Sequence, residues 1–171
     1  MAISDGLLGE FDHEMQTTRR MLERVPVERV AWKPHQKSTA LGELADHVAR
    51  IPGYAIPVFT LPELDAQALA PRDGGPFTRD NLLRRFDENV ARSRAALGAA
   101  GDDTMLVPWT FRLGDRVIFT LPRLAAYRTF VMSHLIHHRA QLGVYLRMND
   151  VPLPGTYGPS ADEPLPASAP R

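Results

Sequence analysis

The chain has no cysteine, which removes disulfides, thiolate metal ligands and a protein-borne thiol nucleophile in one step. Any metal would have to be held by nitrogen and oxygen donors. An excess of either charge is also missing, because 20 basic residues balance 20 acidic ones and the net charge is zero. With no surplus of positive charge to neutralise phosphates, nucleic acid is not an expected partner. Lysine is scarce: eighteen of the twenty basic residues are arginine, which we treat as background. No apolar run approaches the roughly 20 residues of a membrane span, and the opening MAISDGLLGEFDHEM lacks the basic region and apolar stretch of a secretion signal. The expected address is the cytoplasm, away from any membrane.

What is present reads as an ordinary globular protein. The 171 residues are 44% hydrophobic and 23% charged, enough to bury a core without covalent staples. We expect one domain over 1–163 and a disordered Pro-rich tail over 164–171.

Leu7, Leu8, Phe11, Met15, Leu22 and Val25 fall on one stripe at helical spacing, with Ser4 or Asp5 available as N-cap. A second helix is entered at Ser38 or Thr39, with Leu41, Leu44, Val48, Ile51 and Ala55 as its apolar arc and Pro52 bending or interrupting it. LPELDAQALAPRDGGPF carries proline and glycine at loop density and reads as a long connection. Leu82, Leu83, Phe86, Val90 and Leu97 define a third helix, stopped at Gly98 or Gly101. WTFRLGDRVIFTL is rich in β-branched and aromatic residues around Gly114-Asp115, which suits a type II′ turn and at most a short hairpin. A fourth helix starts near Pro122 and runs through Arg147. In the tail, Pro154 to Asp162 can be pinned against the helices. The sum is an all-α four-helix bundle with long connections.

SHLIHHRAQLGVYL crowds three of the six histidines into five positions of the fourth helix. On an ideal helix, with His134 at zero, His138 lies at about 40°, amid Tyr127, Val131, Leu142 and Tyr145 at roughly 20° to 80°. His134 sits one turn earlier, about 6 Å along the axis, so the two can aim at one point. His137 falls at about −60°, on the margin of the apolar arc. An HxxxH pair alone admits a plainer reading, in which one imidazole is buried and hydrogen-bonded and the others face water. A third inward imidazole changes the balance: His47 lies within about 40° to 60° of Leu44 and Ile51 on the second helix. His13 points away from its helix's stripe and His35 sits in a polar loop, so both belong at the surface. Neutral imidazole is a natural cation ligand, and a shared ion relieves the cost of burying two rings side by side. Three inward histidines on two helices suit a His₃ metal site with positions left for water or substrate.

WKPHQKSTALGELADHVARIPGY and, far downstream, PRLAAYRTFVMSHLIHHRAQLGVYLRMNDVPLPGTYGPSADE closely resemble the DinB/YfiT-like family of metal-binding four-helix bundles. The resemblance implies a divalent metal, zinc or nickel, held by one histidine of the second helix and the HxxxH pair of the fourth, at positions matching His47, His134 and His138. It also implies a homodimer. The chain departs from the family at Ala40, where a capping serine or threonine is usual, so Thr39 or Ser38 is expected to cap the second helix in place of a capping box with Glu43. Ser133 and Ala140 are further departures, and none of them touches a ligand position.

Around the three histidines, Gln141 and Glu43 can orient a ligand or be ordinary exposed polar groups, and the second is our expectation for both. Arg128 and Arg139 project to the border of the core, where a buried ion pair or tail contact is expected, and Trp32 and Trp109 should cap the core. A ferritin-like di-iron centre is excluded because the lone ExxH, Glu10 to His13, points outward, and HExxH is absent. An open His₃ site would act on a small-molecule substrate, activating water for hydrolysis or a low-molecular-weight thiol for transfer. The family resemblance favours the second over the first, and a chain without cysteine must borrow its thiol. The alternative is a non-enzymatic metal-binding module or ligand sensor, with a fourth protein donor closing the coordination sphere.

Overall fold

The computed structural model describes residues 2–68 and 76–164. Four long helical segments form the expected bundle: α1 (Ile3–Leu22), α2 (Leu41–Arg50) continued by α3 (Ala55–Thr60), α4 (Arg79–Ala99), and a last rod made of α6 (Arg123–Ala126), a π-helical turn (Tyr127–Ser133) and α7 (His134–Met148). The short α5 (Asp102–Leu106) and three strands, β1 (Glu63–Asp65), β2 (Pro108–Leu113) and β3 (Arg116–Pro122), fill the connection ahead of that rod. α1 packs on α4 and α7, and α2 packs on the same two helices. α2 and α7 are therefore neighbours, the arrangement a shared site requires. No helix among the described residues is long and apolar enough to cross a membrane.

The apolar stripes go where their periodicity points. Phe11, Leu22, Leu41, Val48, Phe86, Leu97, Val131 and Leu142 are buried in one core, so hydrophobic burial is the main stabilising term. Proline 52 acts as expected. α2 ends at Arg50, a 3₁₀ turn covers Ile51–Tyr54, and α3 resumes at Ala55, because proline lacks the N–H that would continue the ladder. α2 is seated by a close approach: a Cβ on Gly42 would lie 2.8 Å from Val30 Cβ, and the Gly42 N–H donates to the Val30 carbonyl at 2.9 Å.

Both helix starts differ from the sequence expectation. α1 is capped at Ala2, not at Ser4 or Asp5; the Asp5 carboxylate accepts the Ala2 N–H at 2.9 Å and Asp102 accepts that of Ile3 at 2.8 Å. α2 is capped at Ala40, not at Thr39 or Ser38, and Glu43 accepts the Ala40 N–H at 3.2 Å. Half of a capping box thus survives the loss of the hydroxyl, since the carboxylate at the third position works without a side-chain acceptor at the cap.

The hairpin is longer and better accompanied than expected. Gly114 has φ of +58° at the first turn position, which favours glycine, and β2 and β3 pair antiparallel around it. β1 adds in parallel to β2, inside the stretch read as a loop. Its acidic residues are poor strand formers, but Arg112 of β2 holds Glu63 and Asp65 at 2.8 Å each. Backbone donation from Gly114, then from Gln67, holds the Asp65 carboxyl below its usual range. α5 was likewise not foreseen; Met105, wholly buried, anchors it.

In the last rod the winding itself departs from the ideal helix. Tyr127–Ser133 is π-helical, so angles measured at 100° per residue do not carry across it. Arg139 is buried as expected, but Arg128, the second residue of the π turn itself, is exposed and pairs with Glu10. The tail is pinned over Pro154 to Asp162: Asp162 accepts the Leu153 N–H at 2.8 Å, Glu163 accepts that of Gly155 at 3.0 Å, and Arg147 and Arg20 pair with the two carboxylates. The expectation for the last seven residues falls outside the described part.

Candidate metal centre

His134 and His138 are one turn apart on α7, directly after the π turn, and His47 faces them from α2. One ring nitrogen from each can be chosen so that all three lie within 4.8 Å of one another. The Nε2 atoms of His47 and His134 are 3.1 Å apart. The rings meet edge to face, with centroids 5.0 Å apart for His47 and His134, 4.6 Å for His47 and His138, and 4.7 Å for His134 and His138. Bonds of about 2.0–2.1 Å in tetrahedral array would hold donor nitrogens about 3.4 Å from one another. The triad is thus of the size and chemistry that could bind a metal ion.

The other ring nitrogens are used in ways that prepare the set. His134 Nδ1 lies 3.3 Å from the Phe130 carbonyl, and His138 Nδ1 lies 2.7 Å from Gln141 Oε1. Both oxygens only accept, so each Nδ1 carries the proton and each Nε2 keeps its lone pair for a cation. Phe130 belongs to the π turn, a winding that departs from the ordinary backbone ladder and recurs at functional sites. Burial, then the neighbouring His138, push the His134 imidazolium below its ordinary range. Burial does the same for His138, opposed by Gln141. Both rings are thereby held in the neutral form that coordinates cations.

A polar cavity of about 440 Å³ opens against His47 and His138, walled by Lys37, Ser38, Thr39, Glu43, Gln141 and Tyr145 among others. Among the described residues no fourth histidine or carboxylate joins the cluster. A larger hollow of about 570 Å³ lies under the tail, lined by apolar groups such as Ile136, Val144 and Leu153, and no histidine reaches it. Its size does not make it the site, because it lacks donors suited to a cation.

His137 is exposed and flanks His138 edge to face at 4.8 Å, outside the cluster. His13 and His35 are exposed. Gln141 corrects the sequence reading: it is exposed, yet its amide oxygen fixes the His138 tautomer, and the i, i+3 spacing was the available signal. Glu43 caps α2 and also lines the cavity. Trp109 is fully buried, its N–H donating to the Pro57 carbonyl at 3.1 Å, whereas Trp32 is half-buried edge-on to Tyr145. Tyr54 was missed. It stacks on the His134 ring at 6.2 Å, two helical turns beyond His47 in sequence.

Fold and site together define a helical bundle carrying an open histidine triad between its second and last rods. The sequence profile of the DinB superfamily matches residues 10–142, and the chain belongs to that superfamily. Two solved structures are similar in fold. A DinB-like protein from Bacillus cereus has a TM-score of 0.66 at 20% identity, over 91% of this chain and 98% of that one. A DinB-like protein from Bacillus subtilis has a TM-score of 0.66 at 16% identity, over 94% of this chain and 99% of that one. No curated protein matches the sequence significantly.

Proposed function

We propose that this protein is a metal-dependent enzyme in which His47, His134 and His138 hold one divalent ion, zinc or nickel, and a low-molecular-weight thiol is the co-substrate in transfer to a small molecule. The observation that carries this reading is the conjunction of three converging imidazoles with a polar cavity against two of them. A site meant only to staple the bundle would close its coordination with a fourth side chain. When bound, such an ion polarises an oxygen or lowers the pKa of a thiol or water. The chain's own residues do the rest. Phe130 and Gln141 hold the protons of His134 and His138 on Nδ1, and the Lys37 ammonium and the Ser38 and Thr39 hydroxyls at the cavity wall supply donors for the polar end of the co-substrate. Having no cysteine, the protein brings no sulfur nucleophile of its own.

Water in place of the thiol is the second form of the same reading, and the cavity's polarity favours neither. Zinc-loaded protein titrated calorimetrically with cysteine, glutathione and related cellular thiols separates them. Saturable binding that disappears on metal removal supports the transferase. Zinc uptake with no thiol binding, together with turnover of ester or amide probes, supports the hydrolase. Uptake with neither leaves a non-enzymatic module.

A further inference from the structure

The polar cavity touches His47 and His138; around His134 the surroundings are of another kind. Tyr54 lies nearly parallel to the His134 ring, with centroids 6.2 Å apart and planes at 14°, and Phe130 stands at 6.2 Å and 30°. Phe130 in turn packs 4.7 Å from Phe111 and 5.9 Å from Phe119, which are direct partners across β2 and β3. Strand alternation puts Trp109, Phe111, Phe119 and Leu121 on the face turned to the π turn, leaving the paired hydroxyls of Thr110 and Thr120 on the other. Trp109 is wholly buried, but Tyr54, Phe111, Phe119 and Phe130 remain half-buried. A run of aromatic rings that ends on a candidate ligand ring, and keeps part of its surface exposed, offers planar apolar contact beside the triad.

We infer that Tyr54, Phe130, Phe111 and Phe119 form the second, apolar half of the site, and that the molecule acted on carries an aryl or comparable planar apolar group that lies against them. Its polar end reaches the triad from the His134 side, while the co-substrate occupies the polar cavity on the His138 side. The assignment of two roles rests on the proposed function; the existence of an aryl-binding wall does not, and the test keeps them apart.

The two tryptophans of the chain report on different halves. Trp109 lies 6.5 Å, 6.0 Å and 5.8 Å from Phe111, Phe119 and Phe130, whereas Trp32 packs on Tyr145 of the polar cavity. In a Trp32→Phe background, 2-naphthylmethanol is titrated against Trp109 fluorescence, with butanol as the non-aromatic control, on zinc-loaded and metal-free protein. The expected result is a saturable naphthyl response with no butanol response at matched concentration. Adding Phe111→Leu and Phe119→Leu, which keep apolar volume but remove the rings, should weaken it tenfold or more, with circular dichroism reporting the fold. Absence of a saturable response, or an unchanged midpoint in the leucine variant, overturns the inference. A naphthyl response that persists in protein unable to bind zinc supports the wall and removes the metal reading.

Discussion

His138 and Arg139 are consecutive residues of α7, and each anchors a polar cluster, but the two clusters are built on opposite terms. Arg139 is enclosed: its guanidinium is 2.6 Å from Glu14 Oε2, donates to the Thr18 hydroxyl at 3.2 Å and to the Tyr157 hydroxyl at 2.7 Å, and lies over the Tyr157 ring. Tyr157 closes the circuit by donating to Glu14 Oε1 at 2.9 Å. Charges this deep must be paired within the protein, and here they tie α1, α7 and the tail together. Around His138 the protein pairs one nitrogen of a ring and aims the other at its neighbours beside a polar cavity. Donors and acceptors consumed among themselves mark structure; imidazole nitrogens brought together beside an open polar cavity mark a site for something else.

The largest effect expected from breaking this contrast is on the closed side. With Arg139 and Glu14 only 3% and 6% exposed, Arg139→Met should cost about 3–5 kcal/mol by leaving a buried carboxylate unpaired. Denaturant unfolding measures it, and the double variant Arg139→Met with Glu14→Gln should recover much of the loss. Next comes the open side. His138→Ala should lower zinc affinity by more than the 10- to 100-fold that loss of an outer partner costs, while unfolding free energy without metal changes by under about 1 kcal/mol. Calorimetry and unfolding on the same sample decide it; a strong loss of metal-free stability would make the triad structural. Gln141→Leu should weaken zinc binding about 10- to 100-fold with the fold intact, and Gln141→Glu should restore it.

The bundle, the place of Pro52, and the inward facing of His47, His134 and His138 could be read from the sequence, because helical periodicity is a local property and these residues obey it. What was not legible depends on partners distant in the chain. β1 exists because Arg112 gathers Glu63 and Asp65, and Glu14 is buried because Arg139 and a tail tyrosine meet it. The π turn shows the limit within a single helix: no residue in YRTFVMS announces it, and Arg128 within it is exposed beside Glu10 although Tyr127 and Val131 are buried as periodicity predicts. Gln141 is exposed, and exposure alone does not separate an idle amide from one that orients a ligand.

The smallest expected effect concerns the tail. Donation from Arg147, then from the Leu153 N–H, holds the Asp162 carboxyl below its ordinary 3.8, and the Gly155 N–H, then Arg20, hold Glu163 below its ordinary 4.5. Folded-state values below the unfolded ones mean that the tethering is complete above the ordinary carboxylate range and is lost as pH falls through the lowered values. Hydrogen exchange at Leu153 and Gly155 should therefore lose protection there relative to the core helices, after allowance for the intrinsic pH dependence of exchange. Unchanged protection would mean that the two carboxylates do not hold the tail.

The central claim is that three imidazoles converge on one cation with room for an added ligand. X-ray absorption at the zinc edge, on protein loaded with one equivalent of zinc, tests it most directly. The account expects outer-shell scattering from three imidazoles, falling to two in His47→Ala, and a new sulfur shell when a binding thiol is added. Fewer than three imidazoles in the wild-type protein, or a coordination sphere filled by protein donors and indifferent to added ligands, would contradict it.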